Sequence, residues 1–111
     1  MISGEGLLLR VFVGESDRHA GKPLYEFLVS ESKKHGIAGA TVLRGLMGYG
    51  AHGSVHTAKI LDLSTNLPLV IEFMDTAERI ESFLPVLDEH VTEGLATLEK
   101  IQMRWYRKEK K

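Results

Sequence analysis

The sequence has no cysteine among its 111 residues, so disulfide bonds, thiolate metal sites and thiol nucleophiles are all excluded. It also has no apolar run close to the roughly 20 residues that a membrane-spanning helix needs. The first ten residues, MISGEGLLLR, have neither the basic start nor the cleavage site of a secretion signal. From these absences we predict a cytoplasmic protein with no membrane insertion.

The chain has almost no net charge, but its charges are unevenly distributed. The formal net charge is −1, while residues 104–111, RWYRKEKK, are strongly basic. A short charged end is usually solvated, and the remainder of the chain is acidic. An acidic body lacks the electrostatic footprint of a nucleic-acid-binding protein, so we predict no nucleic-acid partner.

Length and composition indicate one globular unit. Apolar residues make up 43% of the chain and charged residues 26%, which is ordinary for a soluble globular protein. A chain of this length can bury one core and is too short for two. We therefore predict a single domain over residues 1–111.

The first half of the chain predicts a strand, a helix and a second strand. Residues 7–14, LLLRVFVG, are typical of a central strand buried on both faces, which makes Phe12 a predicted core residue. Pro23 suits a first helical position, and Gly36 suits a left-handed helix end. Residues 40–47 follow as a strand on the sheet edge, with a register that the sequence leaves open.

The second half predicts three further extended segments, over residues 55–63, 69–74 and 97–106. The last of these alternates in polarity, which is typical of a strand with one solvated face.

The clearest helix of the chain lies between the last two of these segments. Asp75 and Glu78 have the spacing of a capping box, and apolar residues follow at helical period. Pro85 is expected to kink or split this helix, and Gly94 is expected to end it.

The predicted order of elements is strand, helix, strand, strand, helix, strand. This order predicts an α+β, ferredoxin-like βαββαβ sandwich, in which two helices cover one face of an antiparallel sheet. The other face of the sheet then needs a cover, and oligomerisation is a common way to provide one.

Glycines are concentrated in the middle of the chain, at Gly36, Gly39, Gly45, Gly48, Gly50 and Gly53. The last three spell G-x-G-x-x-G. No helix is predicted to start on them, as a dinucleotide site requires, and the chain has no room for a kinase catalytic lobe. Two interpretations remain: a loop whose backbone N–H groups approach phosphate oxygens, or a flexible hairpin tip.

Other chemistry has little support in the sequence. His52 and His56 are four residues apart, which suits a metal only on a helix, and glycine lies between them. His19, His35 and His90 fall in predicted loops or helix ends, where solvated roles are expected. No serine, histidine and acid set can be assembled, so we predict that the protein is not an enzyme. A phosphatase on this fold ranks last among the hypotheses.

An RNA-binding module on the same fold is the main alternative function. Residues 11–14 and 44–50 superficially resemble the two short aromatic motifs of RNA-recognition modules. Those motifs belong on the two central strands, whereas residues 44–50 follow the first helix on a predicted edge strand. Retention on RNA that depends on salt would favour this alternative.

The chain resembles a small PII-like family of uncharacterised function found in prokaryotes. The resemblance runs through LLLRVFVGESD, GKPLYE, GATVLRGLMGYG, HTAKIL, LPLVIEF and FLPVLDEHV. The middle third also resembles the helix end, edge strand and loop entry of PII signalling proteins themselves. The resemblance implies a ferredoxin-like homotrimer that can bind adenine nucleotides in clefts between subunits.

The resemblance also implies which residues surround the nucleotide. Gly39 and Thr41 on the edge strand, and Gly48, Tyr49 and Gly50 at the loop base, match the family pattern, and Gly94 lies where a second nucleotide loop begins. The segment EGLATLEKI lacks the glycine-rich, lysine-bearing sequence that grips phosphates in PII proteins. Contacts to phosphate are therefore assigned to the three cations Arg44, Lys59 and Arg104.

These observations lead to one working hypothesis. The chain is a non-enzymatic PII-like regulatory trimer that binds ATP, ADP or AMP and reports the ligand through the loop around residues 48–56. Its partner would be a protein or a transporter. The sequence does not indicate which nucleotide binds or whether a divalent metal takes part.

Overall fold

The computed structural model describes residues 2–50, 56–57 and 66–106. Its main elements are β1 (Ile2–Gly14), α1 (Leu24–Lys34), β2 (Gly39–Arg44), β3 (Pro68–Asp75), α2 (Ala77–His90) and β4 (Leu95–Trp105). Two short antiparallel ladders accompany them. One pairs Arg18–His19 with Lys22–Pro23, and the other pairs Met47–Gly48 with His56–Thr57.

The four long strands form one sheet in the order β2-β3-β1-β4. Every neighbouring pair in it is antiparallel. With one helix after β1 and one after β3, this is the ferredoxin-like α+β sandwich that the sequence predicts, and the fold prediction is confirmed. The prediction that β2 lies on the edge of the sheet is also confirmed.

β1 is longer than the sequence predicts and extends beyond the rest of the sheet. Its residues 7–14 pair with β3, whereas residues 2–12 pair with β4. Within the described residues, positions 2–6 therefore have a strand neighbour on one side only. Together with residues 101–105 they form a two-stranded ribbon at one end of a molecule that measures 50 Å in its longest dimension.

The core lies between the helices and one face of the sheet. It is built by alternate residues of the two central strands and by the inner faces of both helices, where Phe73 and Phe83 pack with ring centroids 5.2 Å apart. Burying such aliphatic and aromatic side chains contributes about 1.5–3 kcal/mol each. The buried set includes Leu9, Val11, Val13, Leu24, Leu28, Leu69, Ile71, Phe73, Ile80, Phe83 and Leu87.

In the described part of the chain, no helix covers the other face of the sheet. We call it the open face, and the register assigns to it Leu8, Arg10, Phe12, Thr41, Leu43, Val70, Glu72, Met74, Leu95, Thr97 and Glu99. The prediction that β1 is buried on both faces is therefore wrong at Phe12, whereas Leu8 on the same face is buried. Phe12, predicted to lie in the core, is 36% exposed on the open face, because strand side chains alternate between faces.

Helix α1 ends as the sequence predicts. Gly36 has φ of 75°, the N–H of Gly36 donates to the carbonyl of Lys33, and the N–H of Ile37 donates to the carbonyl of Ser32. These are the two hydrogen bonds of a Schellman motif. At the other end, Pro23 is the N-cap residue rather than the first helical residue.

Helix α2 differs from its prediction at both ends. Thr76, not Asp75, is the N-cap, and its side chain accepts from the N–H of Arg79. The helix ends at His90, before Gly94. Pro85 does not split it, because residues 77–90 form one helix; burial of Phe83 and Leu87 on either side supports the helical backbone there.

The predicted second strand is interrupted. β2 ends at Arg44, although the N–H of Gly45 still donates to the carbonyl of Pro68 at 2.8 Å, the next pair in the register of β2 with β3. Of the predicted extended segment 55–63, only His56 and Thr57 are described, as part of the short ladder; the remaining residues lie outside the described part of the chain. The predicted one-sided alternation of the last strand is confirmed, since Met103 is buried while Gln102 and Arg104 are exposed.

Candidate functional site

The loop base, residues 44–50, packs against the start of β3, and two glycines allow this close approach. A Cβ at Gly45 would lie 2.8 Å from Cγ of Pro68, and a Cβ at Gly48 would lie 3.1 Å from the same atom. The first of these distances is shorter than real side chains adopt. Glycine at position 45 is therefore required for the loop base to pack on Pro68, whatever else it does.

Arg44 makes a two-pronged ion pair at this loop base. Its Nε lies 2.9 Å from Oε2 of Glu15, and its Nη2 donates to Oε1 of Glu15 at 3.0 Å. Glu15 is itself fixed, because its backbone N–H donates to the carbonyl of Leu67 at 2.8 Å. The pair thus joins the end of β1, the end of β2 and the segment that enters β3.

The loop base also presents apolar side chains to solvent. Leu46 is 80% exposed, Met47 is 61% exposed and Tyr49 is 74% exposed. Nothing lies within 4 Å of a Cβ built at Gly50. A side chain at position 50 therefore meets no steric obstacle among the described residues of this chain.

Two of the three predicted site residues on β2 lie toward the open face. Gly39 faces Met74, and Thr41 faces Glu72 across the ladder. Thr41 is exposed, and nothing lies within 4 Å of a Cβ at Gly39. Arg44, by contrast, shares the helix-side register of Val42, so Thr41 and Arg44 project from opposite faces of the same strand.

Gly94 has a structural reason to be glycine. Its φ is 156°, and a Cβ there would lie 2.7 Å from the carbonyl oxygen of Phe12. It precedes β4 at the same end of the sheet as Arg44, but three strand spacings away, or about 14 Å. This residue allows β4 to begin its ladder with β1.

The remaining predicted cations are not brought to the loop base. Arg104 pairs with Ser3 in the two-stranded ribbon. Ser3 lies about 33 Å along β1 from Val13, which is the β1 residue in register with Arg44. The guanidinium of Arg104 lies over the ring of Tyr106 at 5.8 Å. Lys59 lies outside the described residues. The described members of the predicted set are therefore not assembled into one pocket within a single chain.

An ionic cluster at the centre of the open face is a feature that the sequence analysis missed. Nε of Arg10 lies 2.8 Å from Oε2 of Glu72, and its Nη1 lies 3.5 Å from Oε2 of Glu99. The hydrogen bond that Arg10 donates to Glu72 raises the pKa of Arg10 above its usual value. The signal was present in the sequence: one charged residue interrupts each of the apolar strands LLLRVFVG and LVIEFM.

A cleft of about 280 Å³ lies between the β1–α1 connection and the end of α2. The rings of His19 and His90 meet edge to face at 4.6 Å, and both contact Phe27. Nδ1 of His90 donates to the carbonyl of Val86 at 2.9 Å. The prediction of solvated roles for these two histidines is therefore wrong, because aromatic packing half-buries them.

The remaining histidines are His35 and the predicted metal pair, His52 and His56. His35 is exposed, and its Nδ1 donates to the carbonyl of Glu31. Among residues 2–50, 56–57 and 66–106, no three histidine or carboxylate side chains are grouped so that they could hold a metal ion. His52 lies outside the described residues.

The family comparison identifies the chain. Residues 6–103 match the DUF190 family (Uncharacterized ACR, COG1993). The chain belongs to this family. It is 38% identical over 97 residues to a UPF0166 protein of Aquifex aeolicus, an alignment that covers 86% of this chain and 90% of the relative. The predicted resemblance to a PII-like family of uncharacterised function is thereby confirmed.

Solved structures with the same fold include PII-like proteins. A PII-like signalling protein of Thermus thermophilus superposes with a TM-score of 0.67 at 19% identity, over 93% of each chain. CPII of Thiomonas intermedia K12, a nitrogen regulatory PII-like protein bound to ADP, AMP and bicarbonate, gives a TM-score of 0.66 at 18% identity, over 94% of this chain and all of that one. At these identities the likeness shows the fold.

The two helices are also relevant to the prediction about membrane insertion. In the part of the chain that the structure describes, neither helix has the length and apolar character needed to cross a bilayer.

Proposed function

We propose that this protein is a non-enzymatic regulatory homotrimer that binds an adenine nucleotide between subunits. The loop around residues 48–56 reports the ligand to a protein or transporter partner. The observation that carries the proposal is the shared fold with CPII, whose structure contains ADP and AMP. The proposal starts from the PII-like fold of this chain of the DUF190 family.

The open face supports assembly. Phe12, Leu43, Met74 and Leu95 on this face are all more than one-third exposed. An apolar sheet face of this kind is usually covered by another layer. Copies of the same chain supply such a layer in a closed symmetric oligomer. Arg10 pairs with both Glu72 and Glu99, which lowers the cost of removing these charges from water but leaves the cluster with one negative charge in excess.

The separation of the predicted site residues supports a cleft between subunits. Arg44 and Gly48 lie at one end of the sheet, and Arg104 lies on the ribbon at the other. β2 and β4 are the two edge strands. A neighbouring copy could therefore bring its β4 ribbon beside the loop base, and the ligand would contact cations from both chains.

The RNA-binding alternative is not favoured by the open face. An RNA-recognition surface needs exposed aromatic rings on the two central strands. β1 contributes Phe12 there, but β3 contributes Val70, Glu72 and Met74. Two glutamates flank the centre of this face and would repel a phosphate backbone.

Calorimetric titration tests the proposal. The purified protein, with its oligomeric state fixed by light scattering, is titrated with ATP, ADP and AMP, with and without magnesium. We expect a trimer that binds at least one nucleotide, and loss of binding in Gly50→Trp. The matched control is Ser30→Trp on the exposed side of α1, which should bind normally. A trimer that binds none of the nucleotides would remove the proposed function and leave the fold untouched.

A further inference from the structure

The ion pair between Glu15 and Arg44 leaves one edge of the guanidinium without a partner among the described residues. An arginine has five N–H donors in a planar fork. Glu15 takes the edge formed by Nε and one N–H of Nη2. The edge formed by Nη1 and the second N–H of Nη2 is not part of this pair, and the Arg44 side chain is 53% exposed. That second edge has the geometry that receives two oxygens of a phosphate or carboxylate.

Glu15 is held more firmly than Arg44. Its side chain is 26% exposed, and its backbone N–H donates a hydrogen bond to the carbonyl of Leu67. The next residue, Ser16, donates its N–H to Oδ1 of Asn66 at 3.0 Å. Gly14 donates its N–H to Oδ2 of Asp17 at 2.9 Å. The carboxylate is therefore carried by a fixed turn, and it can hold a long, otherwise flexible arginine side chain in one orientation.

We propose that Glu15 is a positioning residue that holds Arg44 with its free guanidinium edge directed to an anionic group of the ligand. The inference rests on the proposed function and extends it: the ligand is a nucleotide whose phosphate oxygens meet Arg44 at the loop base. Because the arginine is oriented before the ligand arrives, less side-chain freedom is lost on binding.

A competing arrangement predicts the opposite result, which makes the inference testable. If the ligand had to displace Glu15 from Arg44, then removing the carboxylate would free the arginine and raise the affinity. If Glu15 positions Arg44, then removing the carboxylate lowers the affinity. The sign of the change distinguishes the two.

The experiment compares ADP and adenosine on wild type, Glu15→Ala, Glu15→Gln, Arg44→Ala and the double variant Glu15→Ala/Arg44→Ala. We expect Arg44→Ala to weaken ADP binding about tenfold or more, as for loss of a hydrogen bond to a charged group. Glu15→Ala should weaken it about three- to tenfold. Glu15→Gln should recover part of the loss, because its amide oxygen still accepts one hydrogen bond.

Two readouts separate positioning from damage to the fold. Adenosine has no phosphate, so Glu15→Ala should leave its affinity unchanged, whereas a damaged site would bind both ligands less well. In the Arg44→Ala background, removing Glu15 should have no further effect on ADP. Tighter binding of ADP to Glu15→Ala, or equal weakening of adenosine, overturns the inference.

A separate titration tests the anion site in the case that the protein binds no adenine nucleotide. If the wild type binds no adenine nucleotide, inorganic pyrophosphate is titrated while the Arg44 side-chain N–H resonances are followed by NMR. A shift that saturates at lower concentration in wild type than in Glu15→Ala supports the anion site and rejects the nucleotide. No shift, or the same titration in both proteins, overturns the inference.

Discussion

The buried carboxylate of Asp75 accepts a hydrogen bond from the backbone N–H of Ala38, with Oδ2 and N 2.8 Å apart. Its other oxygen accepts from the N–H of Thr76. Asp75 is 2% exposed. One side chain at the end of β3 thus fixes both the start of α2 and the residue that leads into β2.

Asp75→Ala should destabilise the protein by about 3 kcal/mol, because two buried backbone donors lose charged acceptors. Asp75→Asn keeps one acceptor oxygen and should cost about half as much. The measurement is urea unfolding at one protein concentration, with exposed Asp88→Ala as the control, expected within about 0.5 kcal/mol of wild type. Equal stability of Asp75→Ala and the control would show that water replaces the carboxylate.

Gly94→Ala should be destabilising by about 2 kcal/mol or more. The backbone at position 94 has φ of 156°, which residues with a Cβ rarely adopt, and the added methyl would meet the carbonyl of Phe12 at 2.7 Å. Gly50→Ala is the matched control, because a Cβ there has no neighbour within 4 Å. If Gly94→Ala and Gly50→Ala have the same thermal unfolding midpoint, the β1–β4 ladder does not require glycine at position 94.

The fold could be predicted because local signals and topology agree. The Gly36 helix end, the apolar period of α2 and the alternation of β4 are each fixed by short-range chemistry. Their order then leaves few ways to arrange the strands. The exposure of Phe12 could not be predicted, since an apolar strand looks the same whether its second face is covered by its own chain or by another copy.

The candidate site was less predictable for a related reason. Glu15 is not among the predicted site residues, because its pairing with Arg44 depends on which strand ends meet at one edge of the sheet. Asp75 has the spacing of a helix cap, but the start of β2 also lies within reach of its carboxylate, and Thr76 takes the capping role. Local sequence cannot show such competition between partners.

The contact between Gly45 and Pro68 predicts a coupled pair of substitutions. Gly45→Ala should cost about 1–3 kcal/mol, because its methyl would lie 2.8 Å from Cγ of Pro68. Pro68→Ala removes that atom, so the double variant should be more stable than the sum of the two single effects predicts. A double-mutant cycle in urea measures the coupling. Additive effects would show that the loop base relaxes away from Pro68.

Charge placed on the open face should separate assembly from folding. In Leu43→Glu, the new carboxylate replaces a side chain that is 48% exposed, so the helix-side core is left intact. If copies of the chain cover this face, burying the carboxylate without a partner is costly, and the oligomer should dissociate. Light scattering should give the monomer mass, while circular dichroism should retain the wild-type helix content.

The control for this variant is Ser30→Glu, which adds the same charge at an exposed position of α1. It should keep the wild-type mass. Because the proposed nucleotide cleft lies between subunits, Leu43→Glu should also lose ADP binding, although Leu43 and Arg44 project from opposite faces of β2. A Leu43→Glu protein that keeps both its mass and its ligand would place the subunit interface elsewhere on the molecule, and it would show that other copies of the chain do not cover the exposed apolar sheet face.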